Sequence, residues 1–151
     1  MNAYTWLKLV HVLAAITAVG ANLTYFYWLT MVRRSSEHSA YVLNGIRSLD
    51  ARVANPAYVI LPITGILMVL DAELGFTTFW IAAAIVLYVT MGVFAAIFFS
   101  PALRQQVALA EASPVDEDVY EQAARRTTIT GIVTVAIILV IVYLMVMKPT
   151  A

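Results

Sequence analysis

Apolar residues along this chain fall into four long runs separated by short polar stretches. The runs are Leu9 to Val32, Val53 to Leu70, Leu74 to Leu103 and Thr127 to Met147, and none holds a charge when His11 is neutral. Each reaches the ~18 uncharged apolar residues that a membrane-crossing helix needs. No segment alternates polar and apolar positions, as the strands of a membrane barrel do. The pattern therefore predicts an all-α fold: one four-helix transmembrane bundle over residues 1–151, with helices near 4–33, 53–71, 75–103 and 115–147. Pro101 is expected to interrupt the third helix, because proline removes a backbone donor and crowds the preceding turn.

The first run outlasts the ~7–15 apolar residues of a signal peptide, and only Lys8 precedes it, so it reads as a retained helix. The polar connections then set an orientation. Arg33, Arg34, Arg47 and Arg52 lie in loop 33–52, and Arg104, Arg125 and Arg126 lie in loop 104–126. The short turn around Asp71, Glu73 and Gly75 has no basic residue. Basic loops stay in the cytoplasm. Loops 33–52 and 104–126 are therefore expected to be cytoplasmic, with both termini outside. Tyr4, Trp6, Phe76, Phe79 and Trp80 fall at the expected outer boundary, where amphipathic rings favour the headgroups.

Two connections carry helical signals of their own. In loop three Ser113 is a candidate N-cap, Pro114 suits the first helical position, and Asp116 completes a capping pattern. The third loop is thus expected to be helical and to run into helix four. In loop one Val42, Leu43, Ile46 and Leu49 are spaced for a short amphipathic helix. The alternative is that helix two starts there and bends at Pro56.

Composition agrees with the pattern: 62% of residues are apolar and 12% charged, with a mean hydropathy of +0.86. A soluble domain is about a quarter charged. Formal net charge is zero, so there is no basic field for nucleic acid, and the expected surroundings are the lipid bilayer. Cysteine is absent, which excludes disulfides and thiolate chemistry. No zinc-protease, nucleophile-elbow or phosphate-loop motif is present. With Asp71 and Glu73 at the outer turn, the pattern shows no carboxylate inside a membrane run.

One histidine does lie inside such a run. His11 sits roughly 10 Å below the outer boundary by helix rise, and an ionisable group at that depth is a functional candidate. Neutral imidazole ligates haem iron and copper. The plainer reading is a neutral histidine hydrogen-bonded to a neighbouring helix. Lys8, three residues earlier, shares its face. Counted from the outer ends, His11 is level with Thr64 and Gly65 on helix two, Ile85 to Tyr88 on helix three, and Val140 to Tyr143 on helix four. Met68 and Met145 fall slightly nearer the surface, as candidate metal ligands or as gap-filling packing. Gly65 would let a flat cofactor approach the backbone, or would simply allow close helix packing. Pro56 and Pro62 suggest a kink in helix two. His38, among serines in loop one, reads as a solvated residue on the side opposite His11.

The start Tyr4-Thr5-Trp6-Leu7-Lys8-Leu9-Val10-His11-Val12-Leu13-Ala14-Ala15, with Gly20, Arg33-Arg34 and the ending Met145-Val146-Met147-Lys148-Pro149, resembles two bacterial membrane families. These are the HemJ-type protoporphyrinogen oxidases and the CopD-like copper-resistance proteins. Pro62-Ile63-Thr64-Gly65, Trp80, Pro101 and Arg104 resemble a sister family of small four-helix integral membrane proteins of unknown function. The HemJ-type likeness implies haem b on His11 with Lys8 nearby, in a bacterial inner (plasma) membrane. The chain departs from those oxidases at Leu23-Thr24-Tyr25-Phe26-Tyr27-Trp28, so porphyrinogen oxidation is not carried over.

Three functions follow as expectations. The first is a haem b-binding membrane redox protein or redox-complex subunit. Its cofactor residues would be His11, Lys8, Gly65, Tyr88 and Tyr143, with Met68 or Met145 as further metal ligands. The second is a cofactor-free structural or assembly subunit, with partner membrane subunits or a homo-oligomer. The third is a copper or small-solute permease.

Overall fold

A computed structural model describes residues 2–32, 39–112 and 116–150. Its elements are helices: α1 (Ala3–Val32), α2 (Ser39–Asp71), α3 (Phe79–Glu111) and α4 (Glu117–Met147), with no strand among the described residues. All four are long and apolar enough to cross a membrane. Most of their large apolar side chains, such as Leu13, Ile16, Val59, Val86 and Val146, face outward, as suits a lipid solvent. The described helices form antiparallel neighbours. One end of the bundle carries the chain termini, and the other, the arginine end, carries Arg47, Arg104, Arg125 and Arg126.

The boundaries differ from the pattern in an instructive way. Helix two begins at Ser39 instead of Val53, so most of loop 33–52 is helix. Leu43 and Ile46 are buried, and Val42 and Leu49 pack against the same core. The amphipathic stretch thus covers the ends of α1 and α3 rather than lying on lipid. Helix three starts at Phe79 and passes through Pro101 to Glu111, so Pro101 does not interrupt it. Asp116 is itself the N-cap of α4, accepting from the Val119 amide at 3.2 Å. Ser113, Pro114, Arg33, Arg34 and His38 lie outside the described residues.

The prolines are accommodated by wider turns. Asp50–Ala54 in α2 and Ala95–Phe99 in α3 are π-helical. In each, the residue just before a proline bonds five residues back: the Asn55 amide reaches the Asp50 carbonyl, and the Ser100 amide reaches the Ala95 carbonyl. The extra residue per turn relieves the crowding that Pro56 and Pro101 would otherwise cause, and the helix continues. Pro62 lies in regular α-helix.

Packing is uneven along the bundle axis. Without a hydrophobic drive between helices in lipid, close packing of small residues carries association. On α1 the buried stripe runs Ala14, Ala18, Ala21, Tyr25, Leu29, Val32. The main core lies towards the arginine end, joining that stripe to Leu43, Ile46, Ala54, Phe99, Leu103 and Val107. Nearer the termini a smaller cluster joins Ala14, Ala18 and Ala57, and Val69, Ile81, Ala84, Ile138 and Leu144 are buried as well. There Asn55–Asp71 and Phe79–Phe94 make no close backbone approach to each other.

Candidate functional site

His11 continues the buried stripe of α1, one helical turn before Ala14, and meets α2 edge-on. Its Nδ1 lies 2.9 Å from the Thr64 hydroxyl and 3.1 Å from the Leu61 carbonyl. A carbonyl can only accept, so the network assigns the imidazole proton to Nδ1. The Thr64 hydroxyl in turn donates to the Ile60 carbonyl at 2.8 Å, which leaves its lone pairs for Nδ1–H. The two ring nitrogens point apart, so the unprotonated Nε2 is directed away from Leu61 and Thr64.

Gly65 makes this approach possible. A Cβ there would stand 3.3 Å from His11 Cε1 and 3.7 Å from Nδ1. The space at Gly65 is therefore taken by the imidazole, and the glycine lets α1 and α2 close on each other there.

The remaining candidates do not converge on His11. Lys8 is exposed and sits one position off the buried stripe that passes through Leu7 and His11. Tyr88 donates its hydroxyl to the Tyr58 carbonyl on α2. Tyr143 is exposed. Met68 and Met145 are half-buried, and among the described residues neither hydrogen-bonds His11. No group of three or more His, Cys, Asp or Glu able to hold a metal ion occurs among those residues. Any metal chemistry here rests on single ligands from separate helices or from another chain.

A second polar cluster lies nearer the arginine end. Asn22 donates to the Ala18 carbonyl at 2.8 Å and to the Tyr58 hydroxyl. The Tyr25 hydroxyl donates to Asp50 Oδ1 at 3.4 Å. Asp50 is half-buried and lies within α2 rather than in a loop. The missed signal was periodicity: Asn22 and Tyr25 continue the 3.6-residue stripe that begins at His11. Asp50 was hidden because the apolar run was taken to start only at Val53.

A four-helix bundle with membrane-length apolar helices and a histidine locked between two of them defines a small polytopic membrane protein. The chain belongs to the DUF2269 family of predicted integral membrane proteins, whose model matches residues 5–149. No curated protein and no solved structure matches it.

Proposed function

We propose that this chain is a haem b-binding membrane redox protein, or the haem-carrying subunit of a redox complex, with His11 as an axial ligand. The carrying observation is the orientation of the imidazole. A metal-ligating histidine almost always donates its second ring N–H to a carbonyl or carboxylate, which fixes the ring and leaves the other nitrogen basic. His11 has that arrangement, with Nδ1 held by Leu61 and Thr64 and Nε2 left as the ligand atom. When bound, haem would supply one-electron redox chemistry. The chain's own part is to orient His11, exclude water and set the ligand's basicity through Thr64. Lys8, exposed near the end of α1, suits a propionate partner. The likeness to HemJ-type proteins points the same way. We place loops 33–52 and 104–126 in the cytoplasm of a bacterial inner membrane.

The test is an absorption spectrum of the detergent-purified protein, expressed with adequate haem. A Soret band that is lost in His11→Ala, and shifted in Thr64→Val, is expected. No Soret band in the wild type removes the proposal. A second reading, a cofactor-free structural subunit, is favoured by the same contact seen differently: Nδ1 is already satisfied inside the α1–α2 seam. It predicts co-purifying membrane partners and a colourless protein.

A further inference from the structure

Arg125 and Arg126 are the last charges on α4 before the uncharged stretch Thr127 to Met147. With Gln122, Ile129 and Thr130 they line an open recess of about 270 Å³. All five residues belong to α4, so no other helix contributes to it. Gln122, Arg125, Arg126 and Ile129 are exposed. Thr130 is buried, and its hydroxyl is already given to the Arg126 carbonyl at 2.9 Å. Among the described residues, neither arginine nor Gln122 has a side-chain hydrogen-bond or ion-pair partner, and the lining holds no carboxylate. The polar half of the recess therefore presents two uncommitted guanidinium forks and one amide.

Guanidinium forks match the oxygens of a phosphate group, which they bind two at a time. Two positive charges with no carboxylate between them favour an anion over a zwitterion, whose own cation they repel. The recess is several times the ~30 Å³ that one water molecule occupies, so it admits a polar headgroup.

The same flank supplies an apolar second half. Gln122, Arg126, Ile129, Val133, Ala136 and Val140 follow one another at alternating steps of four and three residues, which keeps them on one face of the helix. Ile129, Val133 and Val140 are exposed. From Ile129 to Val140 the lane is roughly 16 Å long by helix rise, close to the ~15 Å hydrocarbon depth of one leaflet. A phosphate ion or an acidic peptide would use the arginine half alone. A phospholipid brings an anionic group and then an acyl chain, in the order and over the length that α4 presents.

We infer that this flank of α4 binds one anionic phospholipid, with the phosphate held by Arg125, Arg126 and Gln122 and an acyl chain along Ile129, Val133 and Val140. The site is independent of the haem reading: it lies at the arginine end and needs no cofactor.

The experiment is thermal unfolding of the full-length, detergent-purified and delipidated protein, with phosphatidylglycerol or phosphatidylcholine of equal chain length added at fixed ionic strength. Phosphatidylglycerol should raise Tm by an amount that grows with the logarithm of its concentration, and phosphatidylcholine and inorganic phosphate should not. Two basic residues at an anionic surface are worth about thirty-fold in affinity, so Arg125→Gln combined with Arg126→Gln should move the response to about thirty-fold higher lipid. Ile129→Trp fills the recess without changing charge; it should weaken the response too, and it serves if the double variant does not fold. Arg104→Gln removes a charge from the same end but outside the recess, and should leave the response intact. Phosphatidylglycerol that co-purifies with the wild type, and is depleted in the recess variants by mass spectrometry, gives a direct readout. An equal rise with phosphatidylcholine or inorganic phosphate, a response undiminished in the recess variants, or a loss in Arg104→Gln as large as in the arginine pair would overturn the inference. A rise with polyglutamate as large as with the lipid would overturn it as well, assigning the flank to an acidic protein segment.

Discussion

The hydroxyl of Tyr88 on α3 donates to the backbone carbonyl of Tyr58 on α2. That carbonyl is the one Pro62 deprives of its usual donor, because proline at position i leaves the carbonyl of i−4 unpaired. In a bilayer an unpaired carbonyl finds no water, so a neighbouring helix must supply the missing donor. The bond also spans the two segments of α2 and α3 whose backbones stand apart.

Tyr88→Phe should therefore destabilise the bundle by about 1–2 kcal/mol, as for a buried acceptor left unmade. Pro62→Ala restores the intrahelical donor, so in that background the same change should cost less. A double-mutant cycle on denaturant unfolding in detergent measures the coupling. Additive effects would contradict this account.

Gly65→Ala is expected to disturb His11. The new methyl would stand 3.3 Å from Cε1, and the ring is held by two oxygens and has little freedom to retreat. A loss of roughly 1 kcal/mol or more is expected, against a gain of up to about 1 kcal/mol from helix propensity. Gly92→Ala is the control, because nothing lies within 4 Å of a Cβ there; it should be neutral or stabilising. Unfolding midpoints of the two variants, with the imidazole nitrogen shifts of His11 by NMR, decide the matter.

Asp116→Ala removes the side-chain acceptor of the α4 N-terminus. A cost of about 0.5–2 kcal/mol is typical of a lost N-cap, and here it should be local. Hydrogen exchange at Val119 and Tyr120 should accelerate while the amides of Ile138 to Leu144 stay protected.

Glu73 has a φ of 52° in the turn between α2 and α3, and a side chain in the left-handed region carries a steric cost that glycine avoids. Glu73→Gly should stabilise by about 1 kcal/mol, read as a higher Tm. Lys148, at φ 45°, is a different case. It ends α4 and holds its ammonium 5.3 Å from the Trp80 ring centroid. Lys148→Gly gives up that cation–π contact, worth ~0.5–1 kcal/mol when exposed. It should gain less than Glu73→Gly, or nothing.

Much of the architecture was legible because lipid demands long apolar helices and leaves few alternatives. Four uncharged runs gave the helix number. Counting helix rise from the outer ends placed His11 level with Thr64 and Gly65, the residues it touches. The limits of the runs were a poorer guide to the limits of the helices. Charged residues such as Arg47 and Arg104 limit the apolar runs, whereas α2 and α3 include them and form a helical cap held by Leu43, Ile46 and Val107. Pro101 was read as a break because proline either ends a helix or is absorbed by a widened turn such as Ala95–Phe99, and composition does not say which. At Gly65 the spacing left two uses open for a similar reason: it fixes which residues share a level, but not which side chain fills the gap.

The backbone gap between Asn55–Asp71 and Phe79–Phe94 has a mechanical consequence. Each segment is braced from behind, the first by α1 and the second by α4, and the Tyr88 hydroxyl reaches across to the Tyr58 carbonyl. In that half the molecule is two braced pairs joined by a tie, so cutting the tie would let the pairs shear past each other while neither came apart.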